Sequence, residues 1–260
     1  MKGPYGLNNY KRTTDEVLKA SATLNDEQKL LAEFFADKVR SVFGSIVAVI
    51  DNRNLDIEKV VLIETIANFA FWDTVIVVWN EKRRWDAVRP VTAIQYLYGN
   101  IPLIAWGGPY KGTVNDIPAN EWRPYLADPD HPEYPSATTA VCYAHTAAMQ
   151  TYLADDTLDW NVTFAKGSSR IEPEAVPAED LTVQFKTFTD FAFRCGQSRL
   201  WSGAHFQDAI DNIKQISTDV GTKAARLVMD QWNGKEVVPI KHTNPYPYNT
   251  MYYNNWYLVR

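Results

Sequence analysis

The stretch Val60–Trp79 is the feature that most constrains how this chain can fold. It is nearly continuous in apolar residues over about 20 positions, the length that crosses a bilayer. Yet it carries Glu64, Asn68 and Asp73, each costly in lipid. It therefore reads as a helix of a protein interior, not as a membrane span. Asp56 stands where an N-cap is needed, and the helix is expected from about Asp56 to Lys82 or slightly beyond. It is apolar nearly all round, as a central helix should be. A chain built on such a helix has to supply others to cover it.

The remaining sequence supplies them. Asn25 and Gln28 read as a capping box, and Leu30, Leu31, Phe34, Phe35, Val39, Val42 and Phe43 follow at helical spacing. Arg89–Pro90 interrupts the central helix, and a shorter one follows through Ala93–Tyr98. Residues 99–134, rich in Gly, Pro, Asn, Asp and Trp, read as a long irregular connection of the kind that carries function. A helix is expected to begin at Pro135, since proline suits the first helical position. A turn region over 155–166 and a Pro-rich loop over 171–178 lead to a helix over 179–195. A linker over 196–203 precedes a last long helix from near Ala204 to about Trp232. The fold class is all-α, a bundle of about five to seven helices. Residues 1–20 are expected as an N-terminal arm, 21–235 as the bundle and 236–260, dense in Tyr, Asn and Trp, as an aromatic arm.

Composition closes off several functions. The 260 residues carry a net charge of −5, with no basic stripe, so nucleic acid is not an expected partner. Any anion site has to come from a few placed cations. Four histidines and two cysteines are too dispersed for a zinc spacing. Cys142 and Cys195 fall in apolar helical patterns and are read as buried thiols acting as small hydrophobes, not as a bridge. Residues 1–14 are polar and do not read as a signal peptide; the compartment is left open.

Three segments share one chemical theme. Lys82 and Arg89-Pro90, then Tyr134-Pro135-Ser136-Ala137-Thr138, then Ser198-Arg199 with His205, offer cations, a helix start and an imidazole. Arginine forks match the oxygens of a compact oxyanion, lysine adds a point charge, and helix-start N–H groups donate. The histidine can serve as a ligand or nucleophile. The spacing and order resemble the three signatures K-x6-R-P, P-S-G-H and S-R-x5-H of the vanadium-dependent haloperoxidase and type 2 acid phosphatase superfamily. The flanks, among them Leu24-Asn25-Asp26-Glu27-Gln28 and Gly203-Ala204-His205-Phe206, resemble the haloperoxidase branch more closely.

The resemblance implies a role for each residue. Lys82, Arg89 and Arg199 would neutralise the oxygens of vanadate, or of a phosphate in the same pocket. Ser136 and the N–H of Ala137 would donate to it, and His205 would bind the vanadium. Halide and hydrogen peroxide would be the substrates. The sequence departs from the family at Thr138, where the acid–base histidine normally stands; losing such a group typically costs about 10²–10⁴-fold in rate. The acidic residue expected to follow the axial histidine is displaced, leaving Asp208 to orient the imidazole. Arg83 and Arg84 read as a solvated face, and His145 as a core or surface histidine. His131 could swing towards the site to replace the missing base. Three readings follow: a haloperoxidase, attenuated by Thr138; a non-catalytic structural or assembly subunit with a degenerate pocket; and a phosphohydrolase using His205. A homo-oligomer or a companion subunit is expected with them.

Overall fold

The computed structural model describes Pro4, Tyr5 and residues 7–235, with the backbone of two short strands at 237–238 and 258–259. Otherwise the aromatic arm expected over 236–260 lies outside the described residues. The core is a helical bundle around the central helix α4 (Ile57–Trp85), packed by α6 (Ala137–Leu153) and α9 (Lys214–Trp232). Asp56 caps α4 by accepting from the Lys59 N–H at 3.0 Å, and Asp86 ends it in the left-handed conformation. α9 approaches α6 so closely that a Cβ on Gly221 would stand 1.9 Å from the Ala144 carbonyl oxygen. Only glycine permits that contact.

α4 is not buried all round. Leu62, Ile63, Ile66, Ala67, Ala70, Thr74, Val78 and Lys82 face the bundle. Ile57, Val61, Phe69, Trp72, Ile76 and Trp79 form an exposed stripe at helical spacing. The segment Ile57–Tyr98 is long and apolar enough to cross a membrane by length and composition alone. Its inner face, however, lies in the same core as Phe35, Phe191 and Cys195.

Other boundaries differ from those expected. Residues 7–22, expected within an arm, form helix α1 (Leu7–Ala22), which buries Tyr10, Thr13, Thr14 and Val17 at i, i+3, i+4 spacing. The capping box is present on α2 (Asp26–Ala36), with Gln28 N donating to Asn25 Oδ1 at 2.9 Å and Asn25 N to Gln28 Oε1 at 3.2 Å. The helix stops at Ala36 because Asp37 is extended; a wider turn over 39–43 leads into α3 (Gly44–Arg53). Beyond α5 (Pro90–Tyr98), the irregular connection contains an antiparallel hairpin, β1 (Pro102–Trp106) with β2 (Thr113–Pro118). Trp106 and Trp122 are buried there as anchors.

Helix α6 begins at Ala137, not Pro135, because Ser136 is extended and serves as the N-cap. The expected turn over 155–166 is strand β3 (Thr157–Phe164), paired with β4 (Leu181–Thr187) in the first half of the expected 179–195 helix. Trp160, Val162 and Phe164 against Val183 and Phe185 alternate with period two, the pattern of a half-buried hairpin. Thr187 caps α7 (Phe188–Trp201), which runs through most of the expected linker. The last helix is split into α8 (Gln207–Asp211) and α9. Cys142 on α6 and Cys195 on α7 form a disulfide. Both are fully buried at the α6–α7 contact, so the apolar positions that hide the thiols also bring them together.

Candidate anion site at the ends of four helices

The site forms where α2 and α4 end and α6 and α7 carry their motifs. Arg89, the N-cap residue of α5, is buried and fully engaged. Its Nη1 donates to the Ala204 carbonyl at 2.8 Å and lies 3.1 Å from His205 Nε2. Its Nη2 donates to the His131 carbonyl at 3.0 Å and lies 3.1 Å from His131 Nδ1. A guanidinium can only donate, so Nε2 of His205 accepts and its proton sits on Nδ1. That Nδ1 is 3.0 Å from a Glu133 carboxylate oxygen, which also accepts from the Phe206 N–H at 3.0 Å. The tautomer is thus set from both sides, leaving the Nε2 lone pair on the Arg89 side.

Glu133, the partner of His205 Nδ1, is a candidate site residue that sequence reasoning missed. It is wholly buried, it accepts from the Tyr5 hydroxyl as well, and burial raises its carboxyl above the usual range. Asp208, expected to orient the imidazole, is instead paired with Arg12 at 2.7 Å. The signal for Glu133 was its place two residues before Pro135, on the approach to the second motif.

A cavity of about 520 Å³ opens beside His205, lined by Ala137, Thr138, Arg199 and His205 together with Lys38, Arg170 and His131. No Asp or Glu lines it. Arg199 is buried, with Nη2 donating to the Ala32 carbonyl of α2 at 2.6 Å and Nε to Ser198 Oγ at 3.0 Å. Burial, and then Arg89, lower it to about 9. Burial and the cations Arg89, Lys82 and Arg199 hold His205 well below the ordinary imidazole range, so it is neutral at pH 7. Burial also lowers His131, whose ring packs 5.2 Å from Trp79.

Three of the residues singled out from sequence stand apart from the cavity lining: Arg89, which reaches it only through His205 and His131, Lys82 and Ser136. Lys82 Nζ donates to the carbonyls of Pro132 and Glu133 at 2.6 and 3.1 Å and lines a neighbouring cavity with Trp79, Asn80 and Arg83. Ser136 Oγ accepts from the Thr139 N–H at 3.4 Å and from its hydroxyl at 2.8 Å, at the first turn of α6. Arg83 and Arg84 are exposed. His145 is buried against Ser45, with Nε2 2.8 Å from its hydroxyl, away from the site.

The fold agrees with what the chain is similar to. Residues 63–234 match the family model described as the VCPO second helical-bundle domain. The fold superposes on a bacterial vanadium-dependent chloroperoxidase in its apo form with a TM-score of 0.85 and 39% identity, covering 88% of this chain and 50% of that one. The holo form of a bacterial vanadium-dependent chloroperoxidase gives 0.77 and 38%, over 85% and 48% of the two chains. A bacterial vanadium-dependent iodoperoxidase, at 0.62 and 20% identity over 88% and 52%, shares the fold. The chain thus spans about half the length of these structures. No curated protein matches it significantly. On its sequence match and its fold together, the chain belongs to the vanadium-dependent haloperoxidase family.

Proposed function

We propose that the cavity beside His205 holds vanadate and that the chain works as a haloperoxidase-type oxidoreductase, oxidising halide with hydrogen peroxide. One observation carries the reading: a cavity open to solvent on one side, bearing arginine, lysine and histidine and no carboxylate, with a neutral imidazole whose Nε2 accepts from Arg89, a bond that Arg89 would yield to the anion. Buried cations without a counter-charge are costly, and a tetrahedral oxyanion is the ligand that offsets them. Among the described residues no cluster of His, Cys, Asp and Glu could hold a metal cation. An oxyanion does not need one, since its oxygens are met by donors and its centre by one nitrogen.

In the balanced reaction a halide ion gives two electrons to peroxide and takes one of its oxygens. One proton is consumed, and the products are hypohalous acid and water. Bound vanadate supplies the Lewis acidity that activates the peroxide. The chain's own residues supply the rest. Arg199 neutralises and orients oxygens, Arg89 adds its charge through its contacts with His205 and His131, and the N–H of Ala137 at the start of α6 donates. Ser136, capping α6, holds the turn that carries the Ala137 N–H. Lys82 adds its charge from behind the Pro132–Glu133 backbone. Glu133 holds His205 in the tautomer that presents Nε2, as carboxylates do for histidines that bind metals. Thr138 can donate a hydrogen bond but cannot move protons near neutral pH. His131, on the same wall and bonded to Arg89, is the titratable side chain placed to do so.

Thr138 also favours a second reading, a non-catalytic subunit that keeps the anion pocket. The uncovered apolar stripe of α4 is where its companion, or a second copy, would pack. The test is vanadate titration of the purified chain by calorimetry, with His205→Ala beside the parent, followed by halogenation of an organic acceptor with peroxide and halide. Micromolar binding lost in the variant, with vanadate-dependent halogenation, is expected. Binding without halogenation favours the non-catalytic subunit. Hydrolysis of a phosphate ester, inhibited by vanadate, favours the phosphohydrolase. No vanadate binding refutes the pocket.

A further inference from the structure

We propose that Lys38 is a direct anion-binding residue of this cavity, taking the lysine's place on the side that Lys82 does not reach. The inference rests on the reading of the cavity as an oxyanion site. Nothing in the three signature segments points to Lys38; the fold alone brings it there. It follows the C-terminus of α2, where its Nζ donates to the carbonyls of Phe35 at 2.8 Å and Ala36 at 3.3 Å. Arg199 donates to the Ala32 carbonyl of the same helix end. The negative pole of α2 thus gathers two cations side by side, and both line the cavity with Thr138, His131 and His205.

A lysine that only caps a helix end can do so from water. Lys38 does not: it is half-buried on the cavity wall beside Arg199, and burial together with Arg199 lowers it to about 7, with Asp37 opposing. Two carbonyls occupy two of the three ammonium donors. The third is left for a ligand in the cavity, where an oxyanion would relieve the repulsion between Lys38 and Arg199. Lys82, by contrast, has two of its donors on backbone carbonyls and lines the neighbouring cavity.

Calorimetric titration of the full chain with orthovanadate and with inorganic phosphate tests this, on the parent, Lys38→Met and Lys38→Arg, with thermal melts in anion-free buffer alongside. A hydrogen bond to a charged group of this kind accounts for about 10- to 100-fold in affinity. Lys38→Met is expected to weaken both anions by that factor while leaving the anion-free melting temperature undiminished. Lys38→Arg is expected to regain most of the affinity. Affinity in Lys38→Met equal to the parent's overturns the proposal. So does a loss that Lys38→Arg does not recover, or one that follows a fall in the anion-free melting temperature, since Lys38 is then only the cap of α2. If the parent binds neither anion, the oxyanion reading itself fails and takes this inference with it, an outcome separable from Lys38→Met matching a parent that does bind.

Discussion

Replacing Arg199 by methionine is expected to stabilise the free protein while destroying its anion site. The guanidinium is buried and has no carboxylate partner, only the Ala32 carbonyl and the Ser198 hydroxyl. Burial, with Arg89 nearby, lowers it from 12.5 to about 9. At about 1.4 kcal/mol per tenfold change, carrying that charge costs roughly 5 kcal/mol of folding free energy. The folded value lies below the unfolded one, so the cost is full at any pH below about 9 and fades only as the pH rises towards 12.5. Methionine removes that cost and forfeits two hydrogen bonds from a charged donor, each contributing about 1.5 kcal/mol, the lower end for charged groups. The net expectation is a gain of about 2 kcal/mol. The assay is urea unfolding at pH 7 in a buffer free of oxyanions, repeated with phosphate. Phosphate at about a hundred times its dissociation constant should raise the parent by about 2.7 kcal/mol and leave Arg199→Met unmoved, so the order of the two proteins reverses or closes. A variant less stable than the parent in the anion-free buffer refutes the claim that Arg199 is an uncompensated charge.

Two further predictions concern the core. The Cys142–Cys195 bridge closes a loop with a sequence separation of 53, which corresponds to about 4 kcal/mol of chain entropy. The Cys142→Ala, Cys195→Ala double variant should therefore melt about 8–12 °C lower than the oxidised parent; equal melting temperatures would show that the bridge contributes nothing. His145, lowered by burial from 6.5 to about 4 and with Nδ1 unpartnered, stays neutral in the fold while the unfolded chain takes up a proton. Stability should thus be lost as the pH falls from 6.5 towards 4, by about 2 kcal/mol between pH 7.5 and 5. Urea titrations of His145→Gln should show that pH-dependent loss reduced by a similar amount, and an unchanged slope would exclude His145 as its source.

The three signature segments were legible because each keeps its residues within a few positions of one another. Local spacing then survives whatever the rest of the chain does. The central helix was legible from its apolar run, but not which of its faces would be covered. Trp72 and Ile63 look alike in a hydropathy pattern, and only the positions of α6 and α9 decide between them. The β3–β4 hairpin was missed because its period-two alternation is short and broken by Asp159, whose backbone is left-handed. Glu133 and Lys38 were not legible as site residues. Glu133 reaches His205 across 72 positions of sequence, and Lys38 meets Arg199 only because α2 ends in the middle of an apolar pattern that reads as one continuous helix.

Those two residues change what the site is in electrostatic terms. The signatures alone describe cations placed to attract an anion. The structure adds that the cations are held by backbone carbonyls, Arg199 and Lys38 on the end of α2 and Arg89 on the loop residues Ala204 and His131, while Glu133, the carboxylate touching His205 among the described residues, lies outside the cavity lining. Carbonyl dipoles hold a buried cation in place without cancelling its charge, whereas a carboxylate would do both. The fold therefore keeps the charges of Arg199 and Lys38 uncancelled, with Glu133 fixing a tautomer and Glu33 pairing only the outer Arg170. That division explains how a chain with a net charge of −5 can present a concentrated positive field at one cavity. It also explains why the cost of the arrangement should be measurable as instability whenever the cavity holds no anion.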